Sequence, residues 1–99
     1  MNERYYTEII FALRKSKARQ KILEYLISIY PSGSYASEIA RRTGLRLNEV
    51  CGALNGSPNR YKKEISLVGL GIVKKEKKKN MFLYKVTTEG INIWNSLGT

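Results

Sequence analysis

Histidine and aspartate are missing from all 99 residues, and cysteine occurs once. The first two absences remove the parts of a Ser-His-Asp triad, of an Asp-His dyad and of any His-ligated metal site. Conventional hydrolytic catalysis is thereby excluded, and no catalytic residue, metal or cofactor is expected. The lone Cys51 has no internal disulfide partner and cannot anchor a zinc site by itself, which fits a reducing compartment. Long apolar runs are missing too: none approaches the ~20 residues that a membrane-crossing helix needs. The opening segment MNERYYTE lacks the basic-then-apolar order of a secretion signal. These features predict a cytoplasmic protein with no membrane partner.

What the chain has in excess is positive charge. Lys and Arg number 18 against 8 Glu, a formal net charge of +10. Residues 1–33 hold six Lys/Arg against three Glu, 34–68 six against three, and 69–99 six against two. The charge therefore covers a whole folded surface rather than a tail, which implies a polyanionic partner, nucleic acid before an anionic membrane. With 42% hydrophobic residues in so short a chain, one domain over residues 1–99 with one core is expected.

The pattern places a helix over residues 5–14, with Tyr6, Ile9, Ile10 and Leu13 at helical spacing. Ser16 is a candidate N-cap for a second helix, in which Ala18, Ile22, Tyr25, Leu26 and Ile29 turn inward and Arg19, Lys21 and Glu24 turn out. Pro31, Ser32 and Gly33 stop it, and a very short strand at Ser34 and Tyr35 can follow. The stretch from Tyr35 to Leu54 then reads as helix, tight turn at Gly44, and second helix from about Arg46 or Leu47 to Asn55. Ile39, Ala40, Leu45, Val50 and Leu54 face inward. That is helix-turn-helix geometry, spanning 35–55, in which the second helix is built to enter a DNA major groove.

Arg46, Asn48, Glu49, Gly52 and Asn55 form the outward side of that second helix, with Cys51 at its margin. Asn48 can pair with adenine and Glu49 can accept from cytosine, or both can serve as local caps. Gly52 costs about 1 kcal/mol in a helix interior relative to Ala, which calls for close approach to DNA or for tight packing. Arg41 and Arg42 can contact phosphate or simply complement the helix dipole. After Pro58, the inserted NRYKKE segment carries Arg60, Lys62 and Lys63 as candidate phosphate contacts. A further helical stretch over Tyr61–Val68 would place Tyr61, Ile65 and Val68 on one face.

Beyond Gly69 and Gly71 the period changes to two. Ile72–Lys77 and Met81–Thr87 read as antiparallel strands of a hairpin over 72–87, joined through Lys78, Lys79 and Asn80. Lys75, Lys77, Lys78 and Lys79 crowd this hairpin together with Lys74. Such crowding repels itself unless an anion is present; the bland alternative is a soluble turn that blocks edge pairing. Thr87 caps a last helix, 88–97. Apolar residues at the two ends, Tyr6, Ile9, Ile10, Leu13, Trp94 and Leu97, either close the core or pair two copies into a homodimer.

The segments SEIARRTGL (37–45), GLGIVKKE (69–76) and YKVTTEG (84–90) resemble the winged helix-turn-helix transcription regulators, in particular the small archaeal ones. The resemblance covers about residues 16–97. It implies a mainly α (α+β) fold with a two-stranded antiparallel wing and terminal helices. It also implies sequence-specific binding of double-stranded DNA, usually as a dimer, with the wing on the backbone or minor groove. An RNA- or protein-interaction module and a non-specific architectural DNA-binding protein are the alternatives.

Overall fold

A computed structural model describes the backbone of residues 3–56 and 66–97 and the side chains of 7–56 and 66–97. The fold is α+β, and the described residues form five helices and a small three-stranded antiparallel sheet in the order α1 (Glu3–Lys15), α2 (Lys17–Ser28), β1 (Ser34–Tyr35), α3 (Ala36–Thr43), α4 (Leu47–Asn55), β2 (Val73–Lys78), β3 (Met81–Val86), α5 (Thr88–Ser96). The predicted helix over Tyr61–Val68 falls largely outside the described residues, and Ser66–Ile72 is a series of turns.

The break between α1 and α2 is built as the sequence suggests. The Ser16 hydroxyl accepts from the Arg19 amide at 3.1 Å and caps α2. The Arg19 side chain itself contradicts the expected outward orientation, being 5% exposed. Its Nη1 donates to the Ala12 carbonyl at 3.3 Å, and Gln20 Nε2 donates to the Leu13 carbonyl at 2.7 Å. Carbonyls in the last turn of a helix lack intrahelical donors, so these two side chains of α2 fold back to close the end of α1.

The core joins every helix to the hairpin. Ile9 and Leu13 of α1, Ile22, Leu23 and Leu26 of α2, Ile39 of α3, and Val50, Ala53 and Leu54 of α4 are fully buried. Leu67 and Ile72 are fully buried with them, while Val73, Tyr84, Val86 and Ile93 are within a few per cent of it. The segment after the undescribed stretch returns against α4: the Leu67 amide donates to the Ala53 carbonyl at 2.9 Å and the Val68 amide to the Leu54 carbonyl at 3.0 Å. These bonds satisfy two of the carbonyls that the end of α4 leaves open.

The sheet has the order β1-β3-β2, so β3 is its central strand. Val73 pairs with Val86, Lys75 with Tyr84 and Lys77 with Phe82; on the other side Ser34 pairs with Tyr84 and Tyr35 with Leu83. The expected strands are present, the first shifted on by one residue and the second ending one residue early, and the turn narrows to Lys79 and Asn80, with Lys79 at φ 56. The two-stranded hairpin of the sequence gains a third strand because Ser34 and Tyr35 supply extended backbone against β3.

Thr87 locks the base of the hairpin to α5. Its hydroxyl accepts from the Gly90 amide at 3.0 Å and lies 2.8 and 2.9 Å from the Gly71 and Ile72 carbonyls, to one of which it donates. Gly90 is required at this contact: a Cβ there would lie 2.6 Å from the Ile72 carbonyl oxygen.

Candidate nucleic-acid interface

α3 and α4 meet at Gly44, which takes the left-handed conformation (φ 77) and donates its amide to the Ala40 carbonyl at 3.0 Å. A side chain there would be strained. The Thr43 hydroxyl donates to the Ile39 carbonyl at 2.7 Å and accepts from the Leu45 amide at 3.4 Å, holding the turn from the other side. Ile39, Val50 and Leu54 bury the inner faces of both helices. The first residues of α4 are left projecting.

The outward set shrinks to its first members. Arg46 and Asn48 are exposed. Glu49 is half-buried and its Oε1 accepts from the Arg46 amide at 3.3 Å, half of a capping box, so its carboxylate is partly committed to the helix start. Gly52 is buried, which corrects its outward assignment: a glycine presents only backbone, and its neighbours cover it. Asn55 is half-buried. Its Nδ2 donates to the Tyr84 hydroxyl at 2.9 Å, tying the end of α4 to β3. Burial raises the Tyr84 pKa above its ordinary value, while the Asn55 hydrogen bond pulls the other way; the hydroxyl stays protonated across the neutral range.

The cations divide into two kinds. Arg41 grips Glu38 with Nε at 3.2 Å and Nη2 at 2.7 Å, and Arg42 adds Nε at 2.9 Å. These hydrogen bonds hold the Glu38 carboxyl below its ordinary pKa. Exposed pairs of this kind are weak and screened by salt. On the hairpin, Lys74, Lys78 and Lys85 each reach Glu76 at 3.5 Å. Partial burial alone would raise the Glu76 pKa, but the three ammonium groups outweigh it and the net shift is downward. Lys75 lies over the Phe82 ring, 4.1 Å from its centre. Lys75, Lys77, Lys78 and Lys79 are all exposed.

Between α4 and the hairpin runs an open groove of about 330 Å³, lined by Leu47 and Cys51 on one side and Met81, Phe82 and Tyr84 on the other, with Tyr35, Ala36, Ser37 and Asn80 completing it. A second cavity adjoins it through Tyr35, Asn80 and Met81 and is lined by Lys77, Lys78 and Lys79. Leu47, Met81 and Phe82 are exposed, and residue-by-residue reading missed them. The period-two alternation of β3 could have flagged Phe82, since it continues the Tyr84–Val86 face beyond the point where the core ends.

Arg60, Lys62 and Lys63 lie outside the described residues, as does the Tyr6 side chain. Of the candidate pairing surface, Ile9 and Leu13 are fully buried in the chain's own core and unavailable to a second copy. Ile10 is half-exposed, and Trp94 and Leu97 pack partly against the core. Phe11, 59% exposed with Lys15 over its ring at 4.4 Å, is the prominent apolar residue of that end.

Residues 9–97 match the EarA-like family. The chain belongs to that family. The match takes in the α3–α4 pair, the hairpin and α5, so the whole candidate interface of this EarA-like protein lies within it. An uncharacterized protein of Methanocaldococcus jannaschii is 42% identical over 85 residues, which are 86% of this chain and 77% of that one. No described helix of the EarA-like chain is long and apolar enough to cross a membrane.

Proposed function

We propose that this EarA-like chain is a winged helix-turn-helix regulator of transcription that binds double-stranded DNA sequence-specifically as a homodimer, without catalysis. In this reading α3 and α4 are the helix-turn-helix and the β2–β3 hairpin is the wing. The carrying observation is the juxtaposition of the projecting start of α4, with Arg46 and Asn48 exposed, and a hairpin that carries six lysines and one carboxylate, Glu76, which only three of them reach. A recognition helix reads bases from its first turns. Arg46 suits guanine and Asn48 suits adenine, while Lys75, Lys77, Lys78 and Lys79 hold the backbone. Arg41 and Arg42 are supplementary, since phosphate can displace the half-exposed Glu38. Arg60, Lys62 and Lys63 are further candidate phosphate contacts.

Pairing of two copies through Phe11, Ile10, Trp94 and Leu97 would set two recognition helices about 34 Å apart, matching a palindromic site. The bound dimer would act by occupancy, blocking or recruiting the transcription machinery in the compartment that holds the chromosome.

Selection from a random duplex pool at near-physiological salt tests this function. A palindromic consensus is the expected outcome, with affinity falling roughly 10³- to 10⁵-fold between 50 and 200 mM salt if six to ten phosphates are neutralised. Salt-sensitive binding without a consensus would make the chain an architectural protein. Preference for single-stranded RNA over duplex competitors would make it an RNA-binding module.

A further inference from the structure

Among the described residues five large apolar side chains are exposed, and three of them, Leu47 (52%), Met81 (49%) and Phe82 (41%), border the groove between α4 and the hairpin. We infer that this groove is a subsite for thymine methyl groups and that Leu47 is the specificity-determining residue that reads them; the inference rests on the proposed binding of duplex DNA.

Leu47 is the first residue of α4, flanked by the exposed Arg46 and Asn48. With Cys51, one turn along the same helix, it makes one wall of the groove, and Met81 with Phe82 makes the other. An occupant must therefore present apolar atoms to α4. It must also present anions to Lys77, Lys78 and Lys79, because their cavity shares Tyr35, Asn80 and Met81 with the groove. In the major groove of a duplex, the apolar group that bases offer is the C5 methyl of thymine. Phosphates of the same strand follow alongside. A protein partner fits less well: three apolar side chains fall far short of the roughly 800 Å² per partner that a stable protein interface buries. The hydrogen-bonding groups of Arg46 and Asn48 beside Leu47 also suit base edges rather than an apolar continuation.

The closing experiment uses the full chain and the duplex recovered by selection, with each thymine in turn replaced by deoxyuridine, which removes the methyl group and nothing else. For the wild type, one or two positions per half-site should lose about four-fold in affinity, the worth of one buried methyl-sized group. Leu47→Ala, at an exposed position where the fold should persist and a thermal melt checks it, should bind thymine and deoxyuridine duplexes equally. Met81→Ala should shrink the difference without abolishing it. A wild type indifferent to deoxyuridine at every position overturns the methyl subsite while leaving DNA binding intact. An undiminished difference in Leu47→Ala overturns the assignment to that residue. Failure of the wild type to bind any duplex removes the DNA-binding function itself.

Discussion

The α3–α4 pair and the hairpin both carry cations, but they manage them differently. In the helix pair, Arg41 and Arg42 share Glu38 at 2.7–3.2 Å and sit in the last turn of α3, where the helix dipole favours them. On the hairpin, Glu76 serves three lysines at 3.5 Å, and Lys77 and Lys79 have no ion pair among the described residues. The helix pair is electrostatically settled and fixed by its apolar inner face. The hairpin is a charge display attached to the core at one end. Shape and charge are thus weighted toward separate elements, joined by the shared core and by the Asn55–Tyr84 hydrogen bond.

The largest effect should come from Leu54→Ala, which empties a fully buried site behind α4 and should cost about 2–5 kcal/mol. Thermal or urea unfolding checks it. An effect much smaller than this would mean that the helix pair is not held by its apolar face. Next, Lys77, Lys78 and Lys79 together replaced by Ala should leave the melting temperature unchanged or raised, while the salt slope of DNA binding falls by about three units, one for each phosphate no longer neutralised. An unchanged slope would remove the hairpin from binding. Asn48→Ala should leave the salt slope alone and relax preference at one base position by about 1–3 kcal/mol, read by repeating the selection.

Acid should act more subtly and unequally. Glu38 and Glu76 are both depressed below the ordinary 4.5, so the stabilisation they give is fully present above that pH and is lost as the pH falls through their lowered values. Protonating Glu76 leaves the hairpin lysines uncompensated, whereas Arg41 and Arg42 keep the helix dipole. Amide exchange at low salt should therefore show β2 and β3 loosening before α3 as the pH drops below 4.5. Simultaneous loosening would erase the distinction between the two regions.

Elements whose logic is local were legible in the sequence. The Ser16 and Thr87 caps, the Gly44 turn and the alternating hairpin follow from one or a few neighbouring residues, and all are present. What the sequence concealed depends on distant partners. Asn55 meets Tyr84 29 residues away, and no periodicity signals that pairing. Arg19 lies at an outward-looking helical position, yet its long side chain reaches back to α1. Leu47 falls in neither the inward nor the outward set that helical spacing picks out, and nothing local marks an apolar residue at the start of a helix as exposed beside a groove.

The two-residue length of β1 has a consequence in time as well as in space. It pairs with β3 only at Leu83 and Tyr84, so the hairpin is three strands wide at its middle, where Lys75 and Glu76 lie opposite those residues, and two strands wide beyond it from Lys77 to Phe82. Two isolated strands are marginal in water, and three on a core are not. Opening rates should therefore grade along the hairpin, slowest at Tyr84 and fastest at the turn. Such a strip can flex at its end many times while its root stays folded.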